Sequence, residues 1–218
     1  MHLIQGPWNF GSKLTVMKTK LIIISLLGLA IQFTVHAQSA QQNDYKNFVS
    51  STLFVVANFA EDPPQYYQLN YGRRFTSKDV VSIEAITWTY KAPIGIPYGP
   101  DYEKPENNFP GKTRAYGAAL AYQRFLWKGI YTQMHSAALH QDYLDENGKK
   151  IQSGFMLFNT LRFGYHLRFF KRRWFFEPSI AFTWWPVNTN LPESFQIEED
   201  KWPNYFLFEP GLHFGFNF

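Results

Sequence analysis

The C-terminal segment alternates strictly. Phe206, Phe208, Pro210, Leu212, Phe214, Phe216 and Phe218 fall on one face, with Tyr205, Leu207, Glu209, Gly211, His213, Gly215 and Asn217 on the other. A period of two predicts a β-strand with unlike faces, and this one outruns the mean soluble strand of about 5 to 6 residues. The segment before it repeats the pattern, with Trp174, Phe176, Pro178, Ile180, Phe182 and Trp184 opposite Glu177, Ser179, Ala181 and Thr183. Both contain Phe-Glu-Pro, at 176–178 and 208–210. A proline inside a strand removes a ladder donor, so each site predicts a bulge or loosened pairing.

Earlier in the chain, Phe155, Leu157, Leu161, Phe163, Tyr165 and Leu167 make an apolar stripe opposite Met156, Thr160, Arg162, Gly164, His166 and Arg168, interrupted at Asn159. Tyr67, Leu69 and Tyr71 stand against Gln68, Asn70, Gly72 and Arg74; Val81, Ile83 and Ala85 against Ser82 and Glu84; Tyr116, Ala118, Leu120 and Tyr122 against Gly117, Ala119, Ala121 and Gln123. Fainter strands are expected near Val49–Phe59 and Ile130–Tyr143, the latter without a decisive face. The count is about eight, with ten as the alternative. Connections alternate in length. Thr76–Asp79, Leu126–Gly129 and Phe170–Arg173 are tight; Pro93–Lys112, Asp145–Lys150 with its Asn147-Gly148 turn pair, and Asn188–Asn204 lie at the other end, where Glu61–Pro64 is the one short loop. Short turns at one end and long loops at the other are the plan of a transmembrane barrel.

Composition separates this reading from a soluble barrel, which alternates too. The 22 Phe, 13 Tyr and 7 Trp give 19% aromatic residues, yet mean hydropathy is −0.30, which excludes a helical membrane bundle. Several non-aromatic faces carry Gly, Ala, Ser and Thr, suited to a crowded interior. Trp88, Tyr90, Trp127, Trp174, Trp184, Trp185, Trp202 and Tyr205 lie near strand ends, where an interfacial aromatic girdle belongs. Apolar faces of this length in lipid require closure, because an open edge is not tolerated there. The fold expected is all-β, a closed antiparallel up-and-down transmembrane β-barrel over residues 48–218.

The N-terminal region reads as an export signal: Met17-Lys18-Thr19-Lys20, an apolar stretch from Leu21 to Val35, and Val35-His36-Ala37 before Gln38. The expected parts are an extension over 1–16 foreign to the fold, a signal peptide over 17–37, and a short periplasmic segment over 38–47. Cleavage after Ala37 removes Lys13, Lys18 and Lys20 and no acid, so the excess of 21 basic over 17 acidic residues shrinks to one. That removes the main support for a nucleic-acid partner. With no Cys, an exported chain must rely on hydrogen bonding and burial.

Taken together, strands over Asn47–Phe218 ending in Tyr205-Phe206-Leu207-Phe208 through Phe216-Asn217-Phe218 resemble the small outer-membrane β-barrels of the outer membrane protein A and X type. The resemblance implies that Phe214, Phe216 and Phe218 are read by the barrel-assembly machinery, with periplasmic chaperones and outer-membrane lipid and lipopolysaccharide as further partners.

Candidate chemistry is sparse. Arg74, Glu84, Arg162, His166, Arg168, Glu177, Glu209 and His213 are expected to face the lumen, where an eight-stranded barrel is just wide enough for side chains to fill and charges must pair. A narrow polar pathway is the competing use of the same groups. His135-Ser136 with Glu84 or Asp142 suggests a hydrolase triad, but adjacent strand residues point to opposite faces. Gly111-Lys112-Thr113 ends like a phosphate-binding loop, yet Glu106 stands where its first glycine is required. The Asp142–Gly148 loop lacks the closing Glu of a calcium site, and Glu198-Glu199-Asp200 reads as a solvated acidic loop before a divalent-ion site. No catalytic residue, metal or cofactor is assigned. The expected role is structural or interactive, through surface loops Pro93–Lys112 and Asn188–Asn204. A narrow pore, a lipid-modifying hydrolase and a soluble lipocalin-like binder are the alternatives.

Overall fold

The computed structural model describes residues 45–218 except 62 and 103. The expected signal peptide, the extension before it and most of the short segment after it lie outside the described residues. Nine strands form one antiparallel sheet: β1 Asn47–Thr52, β2 Tyr67–Arg74, β3 Asp79–Tyr90, β4 Lys112–Trp127, β5 Ile130–Leu144, β6 Lys150–Tyr165, β7 Leu167–Phe169, β8 Trp174–Asn188 and β9 Tyr205–Asn217. Each lies beside its neighbours in sequence except β6 and β7, which both pair with β8, and the pairings β1–β9 and β6–β8 bring the sheet back on itself as a ring.

β6 and β7 share one position in that ring. Gly164 pairs with Ser179 and Leu167 with Phe176, so β7 keeps the register of β6 across a gap at Tyr165 and His166. Pro178 stands opposite the gap and has no N–H to offer it. Eight positions are therefore filled by nine strands. Pro210 is placed differently: it pairs with Ile180 on β8, while on its other side β1 has already ended, its last pair being Thr52 with His213.

Followed from strand to strand, Val49 lies beside Tyr71, then Ile83, Leu120, Ser136, Asn159, Trp184 and Tyr205. On return to β1 the path has climbed about ten residues, the kind of stagger by which closed sheets tilt their strands roughly 35–45°.

The two faces of the wall differ in character. Leu69, Ile83, Leu120, Phe163, Ile180 and Leu212 are exposed on the outside, whereas Asn70, Glu84, Gln123, Gln141, Arg162, Glu177 and Thr183 are buried inside. On β5, which had no decisive face in sequence, Tyr131, Ala137, Leu139, Gln141 and Tyr143 point in and Met134 points out.

Four expectations are corrected. β1 stops at Thr52, and Leu53–Phe59 winds into a 3₁₀ helix, started by the Thr52 Oγ1 that accepts from Phe54 N–H. LFVVANF has no polar alternation to hold it as a strand. In β9 the alternation shifts phase: one residue of β8 between Ala181 and Thr183 faces two of β9 between Phe206 and Glu209. The extra residue, Phe208, takes a left-handed φ of 62°, the conformation that one class of bulge ordinarily gives to glycine. Phe206 therefore points inward and is buried, and Tyr205 points outward. Trp88 and Tyr90 share the face of Glu84 and pack inside, not on an outer girdle. Finally, the long acidic loop contains a helix, α1, Glu193–Glu199, with Phe195 fully buried.

Candidate functional site

Interior-facing side chains form three layers along the ring. At the turn end, Phe48 and Phe175 meet edge to face at 5.5 Å, fitted over glycines: a Cβ on Gly72 or Gly215 would strike their rings. Among them His166 Nδ1 lies 2.7 Å from Glu177 Oε1, which also accepts from Gln123 Nε2 at 3.1 Å. Arg74 is buried with its guanidinium 4.9 Å from the centre of the Phe48 ring. Its Nε and Nη1 have no hydrogen-bond partner among the described residues. Arg168 follows on β7, on the inward side.

In the middle layer Glu84 accepts from Gln68 Nε2 at 2.7 Å and faces His135 Nε2 at 3.3 Å. Arg162 donates to Ser179 Oγ at 2.9 Å and to Glu209 Oε1 at 3.3 Å, and Thr183 donates to Glu209 Oε2 at 2.6 Å. A Cβ on Gly211 would collide with the Arg162 guanidinium, so the glycine makes room for the charge. His213, half-buried, faces inward beside Glu177 in the ladder. The eight expected lumen residues thus lie on the inward side, and five of them, Glu84, Arg162, His166, Glu177 and Glu209, fall in three separate pairs.

The loop-end layer is mainly apolar. Trp185, Leu139, Met156 and Phe206 are buried with Ala115, Ala119 and Ala137, against Trp88 and Phe158. Gln141 bridges two phenols, donating to Tyr90 and accepting from Tyr143. Above them the two long loops close the end. Phe109 stacks on Phe195 at 4.8 Å, and Gly95 comes so close to Pro203 O that any Cβ there would overlap it. Glu199, at the end of α1, accepts from Trp185 Nε1 at 3.2 Å and Asn188 Nδ2 at 3.3 Å. Burial pushes its carboxyl above the usual range, with Asp200 adding to the shift and the two hydrogen bonds opposing it.

The remaining candidates separate. His135 points in to Glu84, while Ser136 points out and donates to Asn159 Oδ1 at 2.7 Å; Asp142 pairs outside with Lys150 at 2.6 Å. The acidic triplet splits, Glu198 pairing with Lys201, Asp200 accepting from Gln196, and Glu199 turning inward. Among the described residues no three His, Asp or Glu are placed to hold a metal. Of the proposed girdle, Trp127 and Trp174 are exposed at the turn end and Tyr205 at the loop end. Trp184 stacks on Phe182 at 5.1 Å on the outer wall. Trp202 is half-buried behind α1 and Trp185 is fully buried. Phe214, Phe216 and Phe218 lie along the outer side of β9 at the turn end, Phe216 against Trp174 and Phe218 near Tyr71.

Sequence reasoning missed His135, Gln123 and Gln141 as interior partners. Their parity on β4 and β5 was the available signal, weak on β5 because its outer face mixes Met134 with Ser136 and His140. No family model matches the chain, nor does any curated protein or solved structure.

Proposed function

We propose that the chain is an integral outer-membrane β-barrel of the small outer membrane protein A and X type, with a structural or surface-interaction role exercised through its long loops. The observation that carries this is the wall's exposed apolar outer face, with charged and polar side chains buried on the inner one. On β4 the exposed Arg114 and Arg124 bracket an outward run of Tyr116, Ala118, Leu120 and Tyr122. Ten residues at about 3.3 Å each, tilted as closure demands, span roughly 25 Å of membrane normal, the height of the apolar band on such barrels. The interlocked interior favours an anchor over a continuous channel.

The loop end supports the interaction role, because its loops are held to each other by Phe109, Phe195, Gly95 and Pro203 rather than left independent. A preorganised surface loses less entropy on binding. Tyr98, Tyr102 and Ile197 are exposed on it. In this reading the aromatic C-terminal face is offered to the barrel-assembly machinery, and lipopolysaccharide and lipid surround the wall.

Fractionation of the tagged protein, with boiled and unboiled outer-membrane samples compared on a gel, tests the proposal. A mobility shift that depends on boiling, in the outer-membrane fraction, is expected. Recovery as a soluble periplasmic protein without a shift would overturn it.

A further inference from the structure

We infer that the turn end of the ring is a docking surface for the headgroups of anionic phospholipids. The inference rests on the barrel reading and adds a partner to it. The rim of this end is strongly basic: Arg73, Lys78, Arg124, Lys128, Lys171 and Arg173 are all exposed. The one outward acid among the described residues of these turns and strand ends is Asp79, and it is already bound by Arg124, Tyr122 and Thr76. Glu177 faces inward to His166. Among the described residues the rim therefore carries a net positive charge, with only Arg124 neutralised by an acid beside it.

The turns hold their cations in backbone conformations that favour other residues. Phe170, Lys171 and Arg172 have consecutive φ values of 45°, 56° and 63°, and Lys128 has 43°. The two-residue Lys128-Gly129 hairpin is of the kind that prefers Asn or Asp before its Gly, and the four-residue Phe170–Arg173 turn holds three successive non-glycine residues in the left-handed region. Such strain persists where the surrounding structure fixes it, and here Asn217 does so, its Nδ2 donating to Arg172 O at 2.7 Å and its N–H to Arg173 O at 2.6 Å. Cations in these positions point to a use for the side chains, not for the turn.

The same rim is aromatic. Lys128 Nζ lies 4.7 Å from the centre of the Trp127 ring, and the Arg173 guanidinium 5.4 Å from Tyr45 and 5.8 Å from Phe216. Phe75, Trp127, Phe170 and Trp174 are exposed beside them and continue into the apolar wall. Aromatic rings settle at headgroup depth, and basic residues just beyond them attract anionic lipid with a strength that adds residue by residue. The partner that matches both features is a phosphodiester headgroup on an acyl-chain surface.

The test reconstitutes the full chain into lipid nanodiscs of equal parts phosphatidylcholine and phosphatidylglycerol, then counts the lipids that stay bound on release into mild detergent, by native mass spectrometry. Phosphatidylglycerol should be retained about ten-fold over phosphatidylcholine, and raising the salt concentration should erase the preference. The triple variant K128Q/K171Q/R173Q should lose it, while the loop-end control K149Q/K201Q keeps it. Equal retention of the two lipids, a preference indifferent to salt, or equal losses in both variants would overturn the inference and leave the barrel standing. A chain that never enters the discs and has no boiling-dependent shift would sink the barrel reading and this inference together. The salt titration on the unaltered chain decides the matter even if the triple variant does not fold.

Discussion

The two ends of the ring are closed by different physics. At the turn end, paired and unpaired charges sit among two aromatic rings: His166 on Glu177, Arg74 over Phe48. At the loop end Trp185, Phe195, Phe109 and their neighbours exclude water chiefly by area, with Gln141 bridging two phenols and a single carboxyl, Glu199, drawn in among them. Buried pairs are unforgiving of the loss of one partner, whereas apolar clusters lose stability in proportion to what is removed and how far the site can collapse. The turn end should therefore fail as a whole and the loop end by degrees.

The sharpest break expected is Glu177→Ala, which strands His166 without its acid. Orphaning two buried hydrogen-bonding groups, His166 Nδ1 and Gln123 Nε2, should cost about 3 kcal/mol or more, seen as a lower temperature for loss of the compact gel form. Combining His166→Phe with Glu177→Leu should recover most of it; a double variant as weak as the single one would mean that pairing is not what holds this end. Next comes Phe195→Ala, about 3 kcal/mol but confined to the loops. Limited proteolysis should cut within 189–204 much faster while the gel shift of the wall is unchanged, and simultaneous loss of both would erase the distinction between the ends.

A pH series sharpens the contrast further. A carboxyl whose pKa is higher folded than unfolded stabilises the fold most when protonated. The loop cap should thus be tightest below the ordinary carboxylate range and loosen as pH rises through the raised pKa of Glu199. Protection of 189–204 from protease should follow that course and become flat in Glu199→Gln; an unchanged slope would assign the effect elsewhere. The smallest change expected is Lys128→Asn, which relieves a left-handed lysine and should raise stability by less than about 1 kcal/mol, detectable as a slightly higher melting point. A drop would show that the Lys128–Trp127 contact outweighs the backbone cost.

Much of the wall was legible because a period of two needs only one strand to be read. Glu177 inward and Ile180 outward follow from counting along β8. The errors arose where residue type was allowed to overrule parity, as with Trp88 and Tyr90, which share the face of Glu84, or where a bulge broke the count, as at Phe208. α1 is hidden in the pattern because Leu191-Pro192-Glu193 reads equally as loop, although proline followed by an acid is also how helices begin. The pairing of the lumen charges was out of reach for a different reason. Glu84 meets His135, and Arg162 meets Glu209, through the stagger of the closed sheet, a property of all the strands at once.

One ladder differs from the rest in kind. Every neighbouring pair in the ring is consecutive along the chain or nearly so, except β1 with β9, whose join runs from Asn47–Phe218 to Thr52–His213. Hairpins can therefore zip up in order with little loop-closure entropy, leaving the seam for last. Until it shuts, the chain is an open ribbon with two raw edges, each able to recruit the complementary edge of another copy. The sequence separation of that join makes it the step at which a correct ring and a head-to-tail polymer compete.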